Sequence, residues 1–280
     1  MTVRVGGAAG RVGRDGSLSL VFERRGGRTV VARSQFTLPL QVLGTVALDD
    51  PAAIVSILNP TGGLVGGDRL AIDVTVGESA HACLTTPSAT KVYRATETPA
   101  EQHVRLRAAE GAIVEWVPDH TIPFPGAAFR QTIDADVAAG ATLVLVDAYA
   151  AGRVARGEAW QFGMLDSRST VHDVHGPIFD DRFVLAGSAR WADLGLAERC
   201  PYFATVAVVT DGALDALGAA LDAAAHQARD VRAAVARLAR RGVVLRCLAP
   251  DAPSLLGAID LAWSRAREAL GLPALALRKP

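Results

Sequence analysis

The sequence predicts a mainly β fold, with two sheets made of stacked strand-turn-strand units in a β-helix-like arrangement and with helices at the C-terminal end. Three observations predict it. Apolar and polar residues alternate through most of residues 17–209, as they do in half-buried strands. Three segments in that range share the pattern strand, glycine turn, strand. Helical spacing of apolar residues begins only after residue 210.

The chain starts with a glycine- and arginine-rich stretch, residues 1–16, which we expect to be flexible. Leu18, Leu20 and Phe22 then alternate with other residues, and Gly26-Gly27 supplies a turn before the next alternating run. This pattern predicts a β-hairpin at the start of the ordered chain.

Further strands are predicted at residues 36–40 and 53–58, separated by the turn sequence Asp49-Asp50-Pro51. We expect residues 17–280 to form a single domain, in which residues 17–209 are mainly β.

The internal repeat is the strongest indication of how the strands are arranged. The segments are residues 72–84, 103–116 and 132–145, and their turn glycines, Gly77, Gly111 and Gly140, are separated by 34 and 29 residues. Two-strand units at such a period are typical of stacked β layers, in which each unit covers the apolar face of its neighbour. A plain antiparallel meander has the same pattern and stays open as the alternative.

A glycine loop, residues 59–70, is the most unusual stretch, with the sequence Asn-Pro-Thr-Gly-Gly-Leu-Val-Gly-Gly-Asp-Arg-Leu. Its glycines, Gly62, Gly63, Gly66 and Gly67, predict positive φ angles or the close approach of another segment. A phosphate-binding P-loop is excluded, because that motif places Gly-Lys-Ser/Thr before a helix, whereas Gly67 is followed by Asp68 and a strand pattern.

Three polar or charged loops surround the repeats, and we expect them to lie outside strand interiors. The first, residues 85–94, contains Thr85, Thr86, Lys91, Tyr93 and Arg94; the second, residues 118–126, contains Asp119 and His120 among three prolines; the third, residues 150–158, contains Arg153, Gly157 and Glu158.

The C-terminal region, residues 210–272, is predicted to be helical with one strand, at residues 243–248. The first helix has Thr210-Asp211 as its N-cap and an apolar spacing that continues to Gly242 as the residue after its end. The apolar positions of that helix are Leu214, Leu217, Leu221, Val231, Val235 and Leu238.

A last helix is predicted to be capped by Ser254 and to end at Gly271. Its apolar stripe consists of Leu256, Ile259, Trp263, Ala266 and Leu270.

Composition limits the partners and the compartment. Lys plus Arg and Asp plus Glu are equal at 29 each, which gives no support for a nucleic-acid or anionic-membrane surface. Cys83, Cys200 and Cys247 are odd in number and far apart, so no disulfide framework is indicated, and we expect a cytoplasmic protein. Zero net charge with 50% hydrophobic residues favours a chain that works within a complex.

Hydrolase chemistry is not supported, because the sequence contains neither a Gly-x-Ser-x-Gly elbow nor a His-Glu-x-x-His helix. Contact with a metal ion is a second chemistry to consider. His81 and Cys83 point to one face of a predicted strand. Imidazole and thiolate suit nickel or zinc, but a structural zinc site needs four ligands, and the simpler interpretation is a core cysteine. Exposed carboxylates such as Asp68, Asp119 and Glu158 are usually only solvated.

Four stretches, in order, resemble the UreD family of urease accessory proteins, called UreH in some organisms. They are residues 60–70, 85–94, 115–126 and 152–158. The resemblance covers about residues 54–160, with weaker similarity through the C-terminal helices.

The resemblance implies a non-enzymatic chaperone, without catalytic residues, in the maturation of nickel-dependent urease. UreD-like proteins bind apo-urease and UreF, and through UreF they recruit the GTPase UreG. The family fold is mainly β with C-terminal helices. No tightly bound cofactor is implied, but an internal passage for nickel in transit is, and Asp68, Asp119, His120 and Glu158 are our candidates for contact with it.

A different class of function stays open. The glycine loop and residues 85–94 would then form the small-molecule site of an all-β enzyme or binding protein, with Lys91, Tyr93 and Arg94 holding an anionic ligand.

Overall fold

The structure is a computed structural model that describes residues 14–44, 50–186, 191, 193 and 197–277. The strands in that part of the chain are β1 (Asp15–Arg25), β2 (Arg28–Thr37), β3 (Gln41–Val42), β4 (Ala53–Leu58), β5 (Arg69–Val76), β6 (His81–Thr85), β7 (Thr90–Val92), β8 (Ala100–Ala108), β9 (Ile113–Trp116), β10 (Thr121–Pro123), β11 (Ala128–Val137), β12 (Thr142–Ala150), β13 (Met164–Asp173), β14 (Gly176–Ala186), β15 (Tyr202–Val209), β16 (Arg232–Arg237) and β17 (Gly242–Ala249). The helices are α1 (Leu214–Gln227) and α2 (Ala252–Ala269), and Val154–Arg156 form one 3-10 turn. None of the described helices is long and apolar enough to cross a membrane.

The strands form two sheets that face each other. The first has the order β14-β13-β11-β8-β5-β1-β2, and the path of the second is β16-β17-β15-β12-β9-β6-β4-β3, with β10 and β7 joined to it beside β12. Strands β1, β5, β8, β11 and β13 are mutually parallel, as are β4, β6, β9 and β12. Parallel neighbours in both sheets exclude the antiparallel meander and confirm the β-helix-like arrangement.

The repeat explains this topology. Each predicted unit crosses from the first sheet to the second, as β5–β6, β8–β9 and β11–β12. The turn glycines stack at the crossings, and Gly111 and Gly140 have φ angles of 64° and 68°, which suit glycine. The backbone N–H of Gly77 donates to Phe22 O at 2.9 Å and so ties the first crossing to β1.

Two apolar cores give the molecule three layers. One core lies between the sheets and includes Leu20, Val74 and Phe129; the other lies between the second sheet and the two helices and includes Val146 and Leu221. Strand β12 contributes to both, because its alternate residues face opposite ways.

The N-terminal half requires two corrections. Asp15 and Gly16, predicted to be flexible, belong to β1, whereas residues 1–13 lie outside the described residues. The strand predicted at residues 36–40 is the end of β2 and stops at Thr37. Asp49, in the predicted turn, also lies outside the described residues.

The predicted extension of the first helix is wrong. Helix α1 ends at Gln227, and Val235 lies in β16, which pairs antiparallel with β17. The region therefore contains two strands, and Gly242 begins β17 instead of following a helix. Alanine favours helix, but the pairing of all six residues of β16 with β17 overrides that local preference.

The helix caps also differ from the prediction. Thr210 and Asp211 do not cap α1, whose N-cap residue is Ala213; the Asp211 carboxylate accepts from Gly140 N–H at 2.6 Å instead. Helix α2 is capped by Asp251, which accepts from the Ser254 backbone N–H at 2.8 Å. Its buried stripe includes Leu255 in place of Leu256.

Candidate functional site between the two sheets

A cavity of about 160 Å³ lies between the sheets. Its walls come from both: Ile72, Gln102 and Gln131 from the first sheet, Trp116 and Asp147 from the second. One end is bordered by the glycine loop and by residues 86–91, which we call the threonine loop, together with Pro118 and Asp119.

A polar network crosses the space between the sheets at Asp147. Gln131 Nε2 donates to Asp147 Oδ1 at 2.9 Å and to the Tyr149 hydroxyl at 2.8 Å. Tyr149 donates to Ser167 Oγ at 2.9 Å, and Ser167 donates to Asp147 Oδ2 at 3.0 Å. Gln131 Oε1 in turn accepts from Gln102 at 3.0 Å, so the network continues along the cavity.

Burial raises the pKa of Asp147 to about 6, even though Ser167 and Gln131 donate hydrogen bonds to its carboxylate. Its remaining exposed surface faces the cavities. Burial also raises the pKa of Tyr149 well above its usual value. Asp147 is therefore an ionisable group held inside the molecule without a cationic partner in its network, a setting typical of functional sites.

Asp147 also borders a second cavity, of about 560 Å³. This cavity has aromatic walls from Trp160, Phe183 and Phe203, and Asp181 lies at its edge. The Asp181 carboxylate pairs with Arg246 at 2.9 Å. Asp147 is the one described residue that lines both of these cavities, so it lies between them.

The glycine loop has the close contacts that its sequence predicts. A Cβ on Gly66 would lie 2.8 Å from Thr98 O, too close for any other residue, and Gly62 has a φ angle of 86°. Leu64 N–H donates to Lys91 O at 2.8 Å, and Tyr93 N–H donates to Leu64 O at 2.8 Å. The loop is thus held against residues 91–93.

Asp68 stabilises this loop from within. Its two carboxylate oxygens accept from the backbone N–H groups of Arg14 at 2.8 Å and Val65 at 2.9 Å, and the residue is only 4% exposed. Asp68 does not line the described cavities.

Asp119 is placed differently, at the cavity wall. Its backbone N–H donates to Thr86 Oγ1 at 2.9 Å, and its carboxylate contacts the His120 ring nitrogen Nδ1 at 2.7 Å. Thr85 Oγ1 donates to Val117 O at 2.9 Å and joins the same two loops. The polar loops therefore come together as a single wall.

The third charged loop is held by its own ion pair. Arg153 binds Glu158 through two hydrogen bonds, one of 2.8 Å, and its guanidinium lies 4.3 Å from the centre of the Phe124 ring. Gly157, at φ 74°, ends the short 3-10 turn between them.

The structure therefore divides the sequence-predicted residues into two groups. Gly62, Gly63, Thr86, Lys91 and Asp119 line the cavity between the sheets. The others, which do not line it, are Gly66, Gly67, Asp68, Thr85, Tyr93, Arg94, His120, Arg153, Gly157 and Glu158.

Sequence reasoning missed the centre of the site. Asp147 is the single charged residue in the apolar run of β12, and that interruption is the sequence signal that identifies it. Gln131 and Ser167 have no comparable signal, since alternation alone gives a strand a polar residue at every second position.

A second buried polar cluster lies under α2. Arg267, which is 0% exposed, pairs with both Glu115 and Asp50, and Glu115 also accepts from Trp263 and contacts His81 Nε2 at 2.6 Å. Burial alone would raise the pKa of Glu115, but the His81 hydrogen bond and the Arg267 charge lower it.

The His81 and Cys83 pair predicted on one strand face is present, but its groups are already engaged or protonated. His81 bonds to Glu115, and burial raises the pKa of the Cys83 thiol well above its usual value. Across the described residues there is no group of three or more His, Cys, Asp or Glu arranged to hold a metal ion.

The fold and the site define a class of protein: a two-sheet β solenoid with a helical layer and a polar crossing between its sheets. A sequence model of the UreD urease accessory protein family matches residues 14–280. The chain belongs to the UreD family of urease accessory proteins, and this establishes a role in urease maturation.

Individual relatives agree with the family match. The chain is 34% identical to the urease accessory protein UreD of Cupriavidus metallidurans over 94% of this chain and 92% of the relative. It is 35% identical to the urease accessory protein UreD of Alkalilimnicola ehrlichii, over 92% of this chain and 88% of the relative. It is 34% identical to the urease accessory protein UreD of Haloarcula marismortui, over 97% of this chain and 93% of the relative.

Proposed function

We propose that this protein is a non-enzymatic scaffold, in the cytoplasm, on which apo-urease receives nickel. It binds apo-urease and a UreF-like protein, which recruits a UreG-like GTPase. Nickel passes between the two sheets without being held tightly. The observation that carries the proposal is the position of Asp147, which lines both cavities.

The chemistry along this path suits a cation in transit. Asp119 borders the first cavity, Asp181 borders the second, and Asp147 borders both. Each part of the path therefore has a carboxylate. Carboxylates spaced apart bind a partly hydrated divalent ion weakly, which allows it to move on. We leave Asp68 and Glu158 out of this route, because neither residue lines the described cavities.

The small-molecule alternative has less support. Lys91 lines the cavity, but the Tyr93 hydroxyl donates to Gly62 O at 3.2 Å and the Arg94 side chain packs against Gly126. The three side chains do not converge on one cavity among the described residues.

The test combines assembly with activation. Asp147→Asn should lower nickel-dependent urease activation several-fold, because the amide carries no charge, while co-purification with tagged UreF-like protein and apo-urease stays intact. Asp136→Asn, on the exposed outer face of β11, is the matched control and should activate normally. Normal activation by Asp147→Asn would exclude the nickel route, and a folded wild-type chain that binds neither partner would exclude the scaffold role.

A further inference from the structure

Exposed apolar side chains are concentrated at one end of the solenoid. Six large apolar side chains are exposed among the described residues, and three of them, Phe36, Leu38 and Leu43, fall within eight positions of the chain. Scattered exposed apolar residues are ordinary, whereas a contiguous group marks an interaction surface.

The exposure of Phe36 follows from the sheet arrangement. Phe36 is opposite Leu18, a core residue, so it points to the inner face of the first sheet. The second sheet ends on this side in β3, which has two residues, and does not cover that face in the described chain. Phe36 therefore remains 46% exposed.

The end of β2 is open along its edge as well. Residues Arg33–Thr37 are exposed on both faces, and β2 pairs only with β1 among the described strands. An unpaired strand edge can accept a further strand through its main-chain groups.

The positive charge of this edge determines which kind of strand can pair with it. A bulge at Ala32 of β2, opposite Val21 and Phe22, changes the register, so Arg28 and Arg33 both lie on the outer face of β2. Neither arginine forms an ion pair with a described residue. Positive charge on an edge strand prevents pairing with another basic strand and favours an acidic one.

We propose that residues 28–38, the β2 edge, bind an extended segment of a partner protein that alternates apolar and acidic residues and adds to the first sheet as a further strand. Its apolar side chains cover Phe36 and Leu38, and its carboxylates pair with Arg28 and Arg33. Leu40 lines the cavity between the sheets, and Leu43 lines a further cavity that is bordered by Asp119, so the added strand lies beside the glycine-loop end of the passage.

Charge argues against the other occupants. Two copies of the β2 edge paired with each other would bring four arginines together on one face. Residues 1–13 contain arginines and no acidic residue, so they would add positive charge to the same edge.

The test uses the full chain and two labelled peptides, one alternating Val and Glu and one alternating Val and Lys. Fluorescence anisotropy should show saturable binding of the Val-Glu peptide only. The double variant Arg33→Glu/Phe36→Ser should weaken it by about tenfold. Val184→Ser, at the exposed edge strand β14, is the matched control and should bind like the wild type.

Circular dichroism and thermal melting establish that the double variant is folded; Arg33→Glu alone serves if it is not. Absence of saturable binding, equal binding of both peptides, or unchanged binding by the folded variant would overturn the proposal. Dimerisation through this edge, seen by sedimentation and abolished by the same variant, would overturn it in favour of a second copy. The assay contains neither urease nor nickel, so its outcome is independent of the proposed nickel route.

Discussion

Glu115 and Asp147 are carboxylates on the neighbouring strands β9 and β12 of one sheet, but they face opposite cores. Glu115 points under α2 and pairs with Arg267, and its pKa is lowered. Asp147 points between the sheets, where neutral groups donate to it, and its pKa is raised to about 6. The pKa of the same functional group is thus shifted in opposite directions on two neighbouring strands.

The difference shows that burial alone does not set the direction in which the pKa of an internal carboxylate shifts. The partners of the carboxylate set it. Neutral donors such as Gln131 and Ser167 offset only part of the cost of burial, whereas a guanidinium outweighs it. The Glu115 cluster therefore acts as an ionic clamp between α2 and the sheet. Asp147 retains a charge that is available to a passing cation.

The largest expected effect comes from removing the cation of the clamp. Arg267→Met leaves Glu115 and Asp50 as buried carboxylates without their partner and should lower the free energy of unfolding by about 3–5 kcal/mol. Chemical denaturation at neutral pH measures it. Arg265→Met, on the same helix but paired with Glu268 at the surface, is the control and should have a much smaller effect. Equal denaturation of Arg267→Met and wild type would mean that the clamp does not stabilise α2.

The second change, Asp147→Asn, should raise the free energy of unfolding instead of lowering it. The folded-state pKa of Asp147 is raised to about 6, so the wild type binds more protons when folded and loses stability as the pH rises from about 4 to about 6. Asp147→Asn removes this loss, and above about pH 6 it should be more stable by up to about 3 kcal/mol. Denaturation across this range measures the difference, which should disappear below about pH 4.

Glu115→Gln provides the contrast. The pKa of Glu115 is lowered in the folded protein, so its ionised carboxylate stabilises the fold above its unfolded-state pKa, and this stability is lost as the pH falls through the folded-state pKa. Glu115→Gln should therefore be less stable than the wild type at neutral pH. A destabilised Asp147→Asn at neutral pH would show that the charged carboxylate is needed for folding, contrary to the comparison.

How far the sequence predicts these structures depends on whether the deciding contact is local. The glycine turns at Gly111 and Gly140 are local, and they predicted the stacked units correctly. The strand that contains Val235 was not predicted, because the alanine-rich stretch forms β16 by pairing with β17, and local residue preference does not reveal that contact.

The two clusters differ in the same way. The partner of Glu115, Arg267, is 152 residues away in the sequence. The Asp147 network joins Gln131 and Ser167, which come from strands of the opposite sheet. Their meeting depends on sheet register and on the packing of two sheets, and the sequence of one chain does not specify either one directly.

The smallest expected effect on stability comes from removing a single hydroxyl from the network around Asp147. Ser167 is 1% exposed, and its hydroxyl accepts from Tyr149 and donates to Asp147. Ser167→Ala leaves the buried Tyr149 hydroxyl without that acceptor and should cost about 1–2 kcal/mol. Loss of a hydrogen bond to the charged carboxylate should also raise the pKa of Asp147 further, so the pH at which stability falls should move upward. Denaturation as a function of pH gives both quantities.

Ser169→Ala is the matched control for this change. Ser169 lies two residues further along β13, is 4% exposed, and its hydroxyl has no hydrogen-bond partner among the described residues. Removing that hydroxyl should therefore leave stability equal or slightly higher, without a change in pH dependence. If both alanine variants behaved alike, the Ser167 hydroxyl would not influence Asp147, and the raised pKa would depend on burial alone.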